Sequence, residues 1–236
     1  VILTIAAGLF LLGNKLVEWM NHSTTLRLSD VDVEGNRLVT TDEILKLAPV
    51  RKGQNITGID LLDIQKAIEV HPYIETALIS RRFPSTLRID IVERVPVAFL
   101  NGTHLFAVDE TGFLLPRLKS VALHGLPIIT GIDNFRENPG AMVESDRVIQ
   151  AINLFNLIRS VDSGLYQNLS EVHYDNRKGF LVNFNDARFP AYFGFGGFYE
   201  KARKLQAFFA RVKEEKRYGS LKYVDLRFRE QVVAKF

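Results

Sequence analysis

At 236 residues the chain is long enough for one or two domains. Its make-up, 47% hydrophobic and 24% charged, is that of a folded protein, and a net charge of +3 is too slight a bias to argue for nucleic acid. The lack of any cysteine excludes thiol nucleophiles, disulfide frameworks, zinc–thiolate sites and iron–sulfur clusters, and leaves the compartment open.

The first stretch, Val1–Gly13, is apolar throughout, and Asn14, Lys15 and Glu18 then intrude among Leu16, Val17, Trp19 and Met20. Thirteen residues of helix rise only about 20 Å, against a hydrocarbon core of roughly 30 Å. Lys15 can snorkel and Trp19 suits a membrane–water boundary. Val1–Met20 therefore reads as the outer part of a single transmembrane helix, cut short at its start, within an anchor over residues 1–23. The competing readings are a signal-peptide core or a buried helix; no small-residue cleavage pattern follows. No second apolar run of this kind occurs, so the rest of the chain is expected on one side of the membrane.

A small mixed unit follows. Leu28, Val31 and Val33 alternate before the turn signal Gly35-Asn36. Thr41-Asp42-Glu43 opens a helix that Thr40 or Thr41 can cap, with Ile44, Leu47 and Ala48 on one face and Pro49 as its stop. A second helix is expected over Asp60–Val70, where Leu61, Ile64 and Ile68 recur at helical spacing. Ile74–Phe83 reads as a strand, Pro84-Ser85 as a turn. Thr86–Val95 is a second strand, with Leu87, Ile89 and Ile91 facing inward and Arg88 and Asp90 facing water. The order is β-α-α-β-β, with two helices on one face of a three-stranded sheet.

Beyond Pro96 strands and turns dominate. Asn101-Gly102 between Ala98–Leu100 and Thr103–Val108 predicts a two-residue hairpin. Asp109-Glu110-Thr111-Gly112 predicts a turn before Phe113–Leu115, and Leu126–Thr130 a short strand. A helix is expected over Ala141–Val161. Strands are expected at Leu169–Tyr174, Phe180–Phe184 and Ala187–Phe193. A basic helix over Phe198–Glu215 should turn Ala202, Leu205, Phe208, Phe209 and Val212 inward. Two last strands, Tyr223–Phe228 and Val232–Phe236, complete a mostly antiparallel domain with two helices.

Signals for chemistry are weak. His22, His71, His104, His124 and His173 stand in different elements, with no metal-binding helical pair and no G-x-S-x-G elbow. Gly194-Phe195-Gly196-Gly197 precedes a helix, but Tyr199 stands where a dinucleotide fingerprint needs glycine, so a strand-to-helix turn is the better reading. Lys201, Arg203, Lys204, Arg211, Lys213, Lys216 and Arg217 occupy the solvated face of a core helix rather than a nucleic-acid surface. The reading is of a non-enzyme, with no cofactor, metal, nucleic acid or small-molecule substrate.

Several segments together resemble one family. They are Val31–Asn36, Thr40–Ile44, Gly53 with Asn55, His71-Pro72-Tyr73-Ile74, Ala77, Arg81-Arg82-Phe83-Pro84, Leu87-Arg88-Ile89 and Glu93–Ala98. In that order they are similar to the POTRA domain of the FtsQ/DivIB bacterial cell-division proteins, with Tyr73 and Phe83 where the family usually has tryptophan. Val108–Gly112, Leu126-Pro127 with Gly131, and Tyr223–Phe228 resemble further family motifs, whereas Phe184–Gly194 matches only loosely. The resemblance implies an α+β protein: an anchor at 1–23, a POTRA domain at 24–95 and an FtsQ-type β domain at 96–236. It implies a single-pass protein of the bacterial inner membrane, its C-terminal domains extracytoplasmic, enriched at the division septum. There it would act as a scaffold that joins FtsB and FtsL and links them to the FtsW–FtsI cell-wall synthase. By position, Arg227, Phe228, Glu230, Gln231 and Phe236 fall where the family binds FtsB by strand addition, and Arg177 is expected to contribute from a neighbouring strand. A final strand is independently expected at a sheet edge, where unpaired backbone groups template another chain. Each of these residues also has a plain structural reading, Phe228 as core above all. The alternatives are a POTRA protein of another secretion or membrane-assembly system, or a periplasmic hydrolase with a site assembled at long range.

Overall fold

The computed structural model describes residues 11, 12, 15, 23–116, 125–133, 135–185, 187–214 and 218–236. They fall into two compact units, Val1–Arg94 and Val95–Phe236. Most of the stretch expected to span a membrane lies outside the described residues; Leu11, Leu12 and Lys15 are helical, and both leucines are exposed. Among the described residues no helix is long and apolar enough to cross a membrane.

In the first unit β1 (Asp30–Glu34), α1 (Thr41–Leu47), α2 (Leu61–Glu69), β2 (Ile74–Arg82) and β3 (Thr86–Glu93) follow the expected order, with a 3-10 turn at Ile56–Gly58 added before α2. Thr40 is the cap of α1: its hydroxyl accepts from the Glu43 N–H at 3.3 Å while the Glu43 carboxylate accepts from the Thr40 N–H at 3.0 Å. The sheet order is β1-β3-β2, β1 parallel and β2 antiparallel to β3. Leu87, Ile89 and Ile91 are buried with Ile44, Ile64 and Ile68 of the helices, so the period-2 and period-3.6 patterns close on one core. Burying side chains of this size is worth about 1.5–3 kcal/mol each.

The second unit is a nine-stranded sheet: β4 (Pro96–Asn101), β5 (Leu105–Asp109), β6 (Leu114–Leu115), β7 (Ile128–Thr130), β8 (Leu169–Asp175), β9 (Gly179–Phe184), β10 (Ala187–Gly194), β11 (Tyr223–Asp225) and β12 (Val233–Lys235). The order is β12-β11-β10-β9-β8-β7-β4-β5-β6. Five neighbouring pairs are antiparallel, while β4–β7, β7–β8 and β10–β11 are parallel. Its core joins Val108, Leu114, Val172, Phe180 and Val182 of the strands to Phe155 and Ile158 of α3 (Asp146–Val161) and Leu205 and Phe209 of α5 (Phe198–Glu214). Phe180 meets Tyr174 and Phe198 edge-on, with ring centroids 5.1 and 5.5 Å apart.

Three expectations change. The β4–β5 loop has three residues, Gly102–His104, because Asn101 pairs with Leu105; the Glu137 carboxylate, taking the Thr103 N–H at 2.6 Å, holds it in that shape. The helix expected from Ala141 starts at Asp146, because the backbone of 140–143 is already bonded to 112–114. Lastly, among the described residues the domain has three α-helices rather than two. The addition is α4 (Ser163–Gln167), whose first N–H groups are capped by the Asp162 carboxylate at 2.8 and 3.1 Å.

Candidate functional site

At one end of the large sheet, Tyr223, Val224 and Asp225 of β11 sit opposite Lys235, Ala234 and Val233 of β12. On its other side β11 runs parallel to β10, with Val224 beside Ala191 and Asp225 beside Tyr192. The outermost strand is therefore β12, bonded along one side to β11 and to no strand on its other side among the described residues. Such a strand presents N–H and C=O groups to a further chain. Val232, Ala234 and Phe236 pack partly against the core, which gives the edge one apolar face, and Lys235 points to solvent.

The expected strand Tyr223–Phe228 stops at Asp225, for a local electrostatic reason. The Asp225 carboxylate accepts the Arg227 N–H at 3.0 Å and its guanidinium in a forked pair at 2.9 and 2.6 Å. Chain that bends back to make these bonds cannot continue the ladder. The Leu226 N–H still reaches the Tyr192 carbonyl at 3.0 Å. Lys204 of α5 donates to the carbonyls of Phe228, at 3.2 Å, and Arg229. Residues 226–232 are thus tied to the sheet at Asp225 and to the helix at Lys204.

Phe228 is 46% exposed, which argues against the core reading. Phe236 is partly buried and already leans on the core, so it is shared between fold and surface. Glu230 and Gln231 are exposed in the connection between β11 and β12. Arg227 is committed to Asp225 and lies over the Tyr192 ring at 5.2 Å. The same ring has Lys178 at 5.9 Å, and Tyr223 meets it edge-on at 6.0 Å. Arg177 lies not on a strand but in the β8–β9 turn, where its N–H and that of Lys178 cap the Asp175 carboxylate at 2.7 and 2.8 Å. That turn adjoins Arg227 through two glycines: a side chain at Gly179 would strike the Gly194 backbone, and one at Gly194 would press on Arg227. The structure thus gathers Arg227, Lys178 and Tyr223 around Tyr192 at one end of the sheet, with Arg177 in the turn that carries Lys178 and Phe228 next but one to Leu226 along the chain, and leaves β12 as the edge strand beside β11.

The charges fit this arrangement. Hydrogen bonds from Arg227 hold the Asp225 carboxyl below the usual carboxylate range. Backbone N–H groups of the β8–β9 turn do the same for Asp175. Burial, with Lys204 nearby, pushes the Lys201 ammonium down, and that ammonium donates to the Phe193 and Gly196 carbonyls, both at 2.5 Å. The glycine-rich segment is therefore a strand-to-helix turn organised by a cation on its carbonyls. The sequence pattern puts Lys201 and Lys204 on a solvated face, whereas both donate to backbone carbonyls; it gives Asp225 and Tyr192 no individual role, and only the Asp-x-Arg spacing of Asp225 is a local signal.

Elsewhere, an open cavity of about 550 Å³ is lined by Gln150, Asn153, Asn156, Leu157 and Phe198, without a titratable group. Another of about 470 Å³ in the first unit contains Asp60 and Asp63, of which Asp60 caps α2 at 2.8 Å. Among the described residues no three His, Asp or Glu side chains are placed to hold a metal ion; His22 and His124 lie outside them.

A β-α-α-β-β unit followed by a β domain with an open terminal edge defines the class of POTRA-bearing proteins with an appended β domain. Residues 26–94 match the family model of the POTRA domain, FtsQ-type, and residues 95–235 match that described as FtsQ/DivIB, C-terminal related. The chain belongs to the FtsQ/DivIB family of cell-division proteins. It is 28% identical over 233 residues to the cell division protein FtsQ of Geobacter sp. (strain M21), covering 98% of this chain and 84% of that protein. FtsQ of Myxococcus fulvus is 30% identical over 183 residues, covering 76% and 64%. DivIB of Clostridium acetobutylicum is 28% identical over 137 residues, covering 57% and 55%.

Proposed function

We propose that this protein is a non-catalytic scaffold of the division machinery, anchored in the cytoplasmic membrane by its N-terminal segment, with residues 24–95 and 96–236 as extracytoplasmic domains. It binds FtsB, and through it FtsL, by strand addition at β12, and so links them to the FtsW–FtsI synthase at the septum. The observation that carries this reading is the open edge at β12, flanked by the exposed Phe228. Main-chain bonds along Val233–Lys235 would supply affinity. Phe228 and Phe236 would anchor apolar side chains of the incoming segment, as aromatic residues do at interface centres. Arg227, turned onto Asp225, would contribute mainly by shaping the surface, while Arg177, Glu230 and Gln231 would form its rim.

The test is binding of the full chain to the extracytoplasmic segment of FtsB from the same organism, beside a Phe228→Ala, Phe236→Ala double variant. The expected result is a loss of affinity of roughly 30-fold or more for the double variant, the scale of an interface hot spot. Its thermal unfolding should shift by only a few degrees. Equal affinity of the two proteins would remove the β12 edge as the site.

A further inference from the structure

The first unit has two ends of different chemistry. At one end lie the start of β1 and the β2–β3 turn: the Ser29 N–H donates to the Ser85 carbonyl at 2.8 Å, and Asp30 pairs with Thr86. The loop 51–54 joins them, since the Gly53 N–H donates to Leu28 and the Leu28 N–H to Gln54, at 2.8 and 2.7 Å. This end exposes Arg27, Arg51, Lys52 and Arg82, and at its tip Phe83, 63% exposed. Among the described residues none of these four cations has a side-chain hydrogen bond or ion pair; Arg82 acts on Asp90 only through its field. Its carboxylates are Asp30, Asp60 and Asp63, with Asp60 engaged at the start of α2. The opposite end carries exposed Glu34, Asp42, Glu43 and Glu75 beside the exposed Arg37, and Lys46, exposed in the last turn of α1, also acts on Glu43.

Only two residues, Asn21 and His22, separate Met20, the last residue of the expected membrane helix, from Ser23, where the turn into this first end begins, and the three residue steps between them reach at most about 10 Å. The cationic end is therefore held within about one Debye length of the bilayer surface. An arginine beside an exposed aromatic ring suits the headgroup layer, where the ring is half desolvated and the guanidinium meets phosphate.

We infer that this end of the POTRA domain, through Arg27, Arg51, Lys52, Arg82 and Phe83, docks on anionic lipid headgroups of the membrane that holds the anchor. The inference rests on the anchor proposed above. Docking of this kind orients the domain on the bilayer and turns its acidic end away from it.

The chain has a single tryptophan, Trp19, so a Trp19→Phe, Phe83→Trp protein reports from the tip alone, and Trp19→Phe, Arg37→Trp reports from the opposite end. The full chain is reconstituted into vesicles of phosphatidylcholine, with or without phosphatidylglycerol, containing tail-brominated lipid. Expected are flotation with the vesicles, and blue-shifted, bromine-quenched emission at position 83 but not at position 37 when phosphatidylglycerol is present. Replacing Arg27, Arg51, Lys52 or Arg82 by Gln should weaken docking roughly fivefold each, and high salt should release it. A chain that floats while position 83 stays as unquenched as position 37 overturns the docking alone. Quenching that ignores both phosphatidylglycerol and the Gln variants overturns the recognition of anionic lipid. A chain that does not float overturns the anchor and this inference with it.

Discussion

The two edges of the nine-stranded sheet are treated in opposite ways. At β6 the two residues are fully buried, and the backbone of 140–143 lies alongside: the Gly140 N–H donates to Leu114 at 2.7 Å, the Leu114 N–H to Ala141 at 2.9 Å. That edge is closed by the chain itself. At β12 no such cover exists among the described residues, and the strand before it, β11, is cut short by Asp225 and Arg227. The smaller sheet guards its edges differently again, with Asp30, Asp32 and Glu34 along β1 and Arg81 of β2 tied to the carbonyls of Ile56 and Ile59. Edges that are covered or charged resist strand addition. An open, largely uncharged edge in a molecule that protects its other edges is the edge best suited to pair with a further chain, as the proposed function requires.

The largest expected effect comes from breaking the cover. Gly140 sits at φ 93°, which proline cannot adopt, and Gly140→Pro also deletes the bond to Leu114. We expect a loss of roughly 2–4 kcal/mol in denaturant unfolding, with concentration-dependent association of the native protein as β6 is uncovered. A variant that stays monomeric would mean that β6 is protected by its shortness rather than by residues 140–143.

Asp225→Asn sharpens the other side of the comparison. It removes the charge from the forked pair with Arg227, a bond whose arginine side is 42% exposed, so about 1–2 kcal/mol is expected. Because Arg227 lowers the folded-state value of Asp225, this stabilisation is complete above the unfolded carboxylate value near about 3.9 and is lost as pH falls through the folded value. Denaturant midpoints of wild type and variant should therefore differ at neutral pH and draw together as pH falls below the unfolded carboxylate value and on through the lower folded one. A gap that persists in acid would show that packing, not charge, holds residues 226–232. Smallest in stability is Lys235→Glu, within about 0.5 kcal/mol because the side chain is exposed. Its effect should instead appear in the salt dependence of partner association.

Much of the fold was legible in the chain. Thr40 with Glu43, the alternation of Leu87, Ile89 and Ile91, and the spacing of Ile64 and Ile68 each act within one element, so neighbouring residues suffice to reveal them. The errors fall where a distant partner overrode a local signal. Glu137 reshaped the loop after Asn101, and the backbone of 112–114 drew Ala141–Val143 out of a helix. The candidate site followed the same division. A terminal edge strand could be anticipated from chain order and Phe228 only from the family resemblance, its strand position suggesting core, whereas the use of Arg227 could not be anticipated at all.

By itself the sequence determined most of the strands and helices, which of their faces are apolar, and that a β-α-α-β-β unit precedes a β-rich one, because these follow from side-chain periodicity and capping over a few residues. Only the tertiary structure decided that β7 inserts between β4 and β8, that 140–143 closes one edge, and that Asp225, Lys204 and Tyr192 together shape the other. Those outcomes depend on hydrogen bonds and ring contacts between residues far apart along the chain, whose free energy exists only once the folded backbone has brought them together.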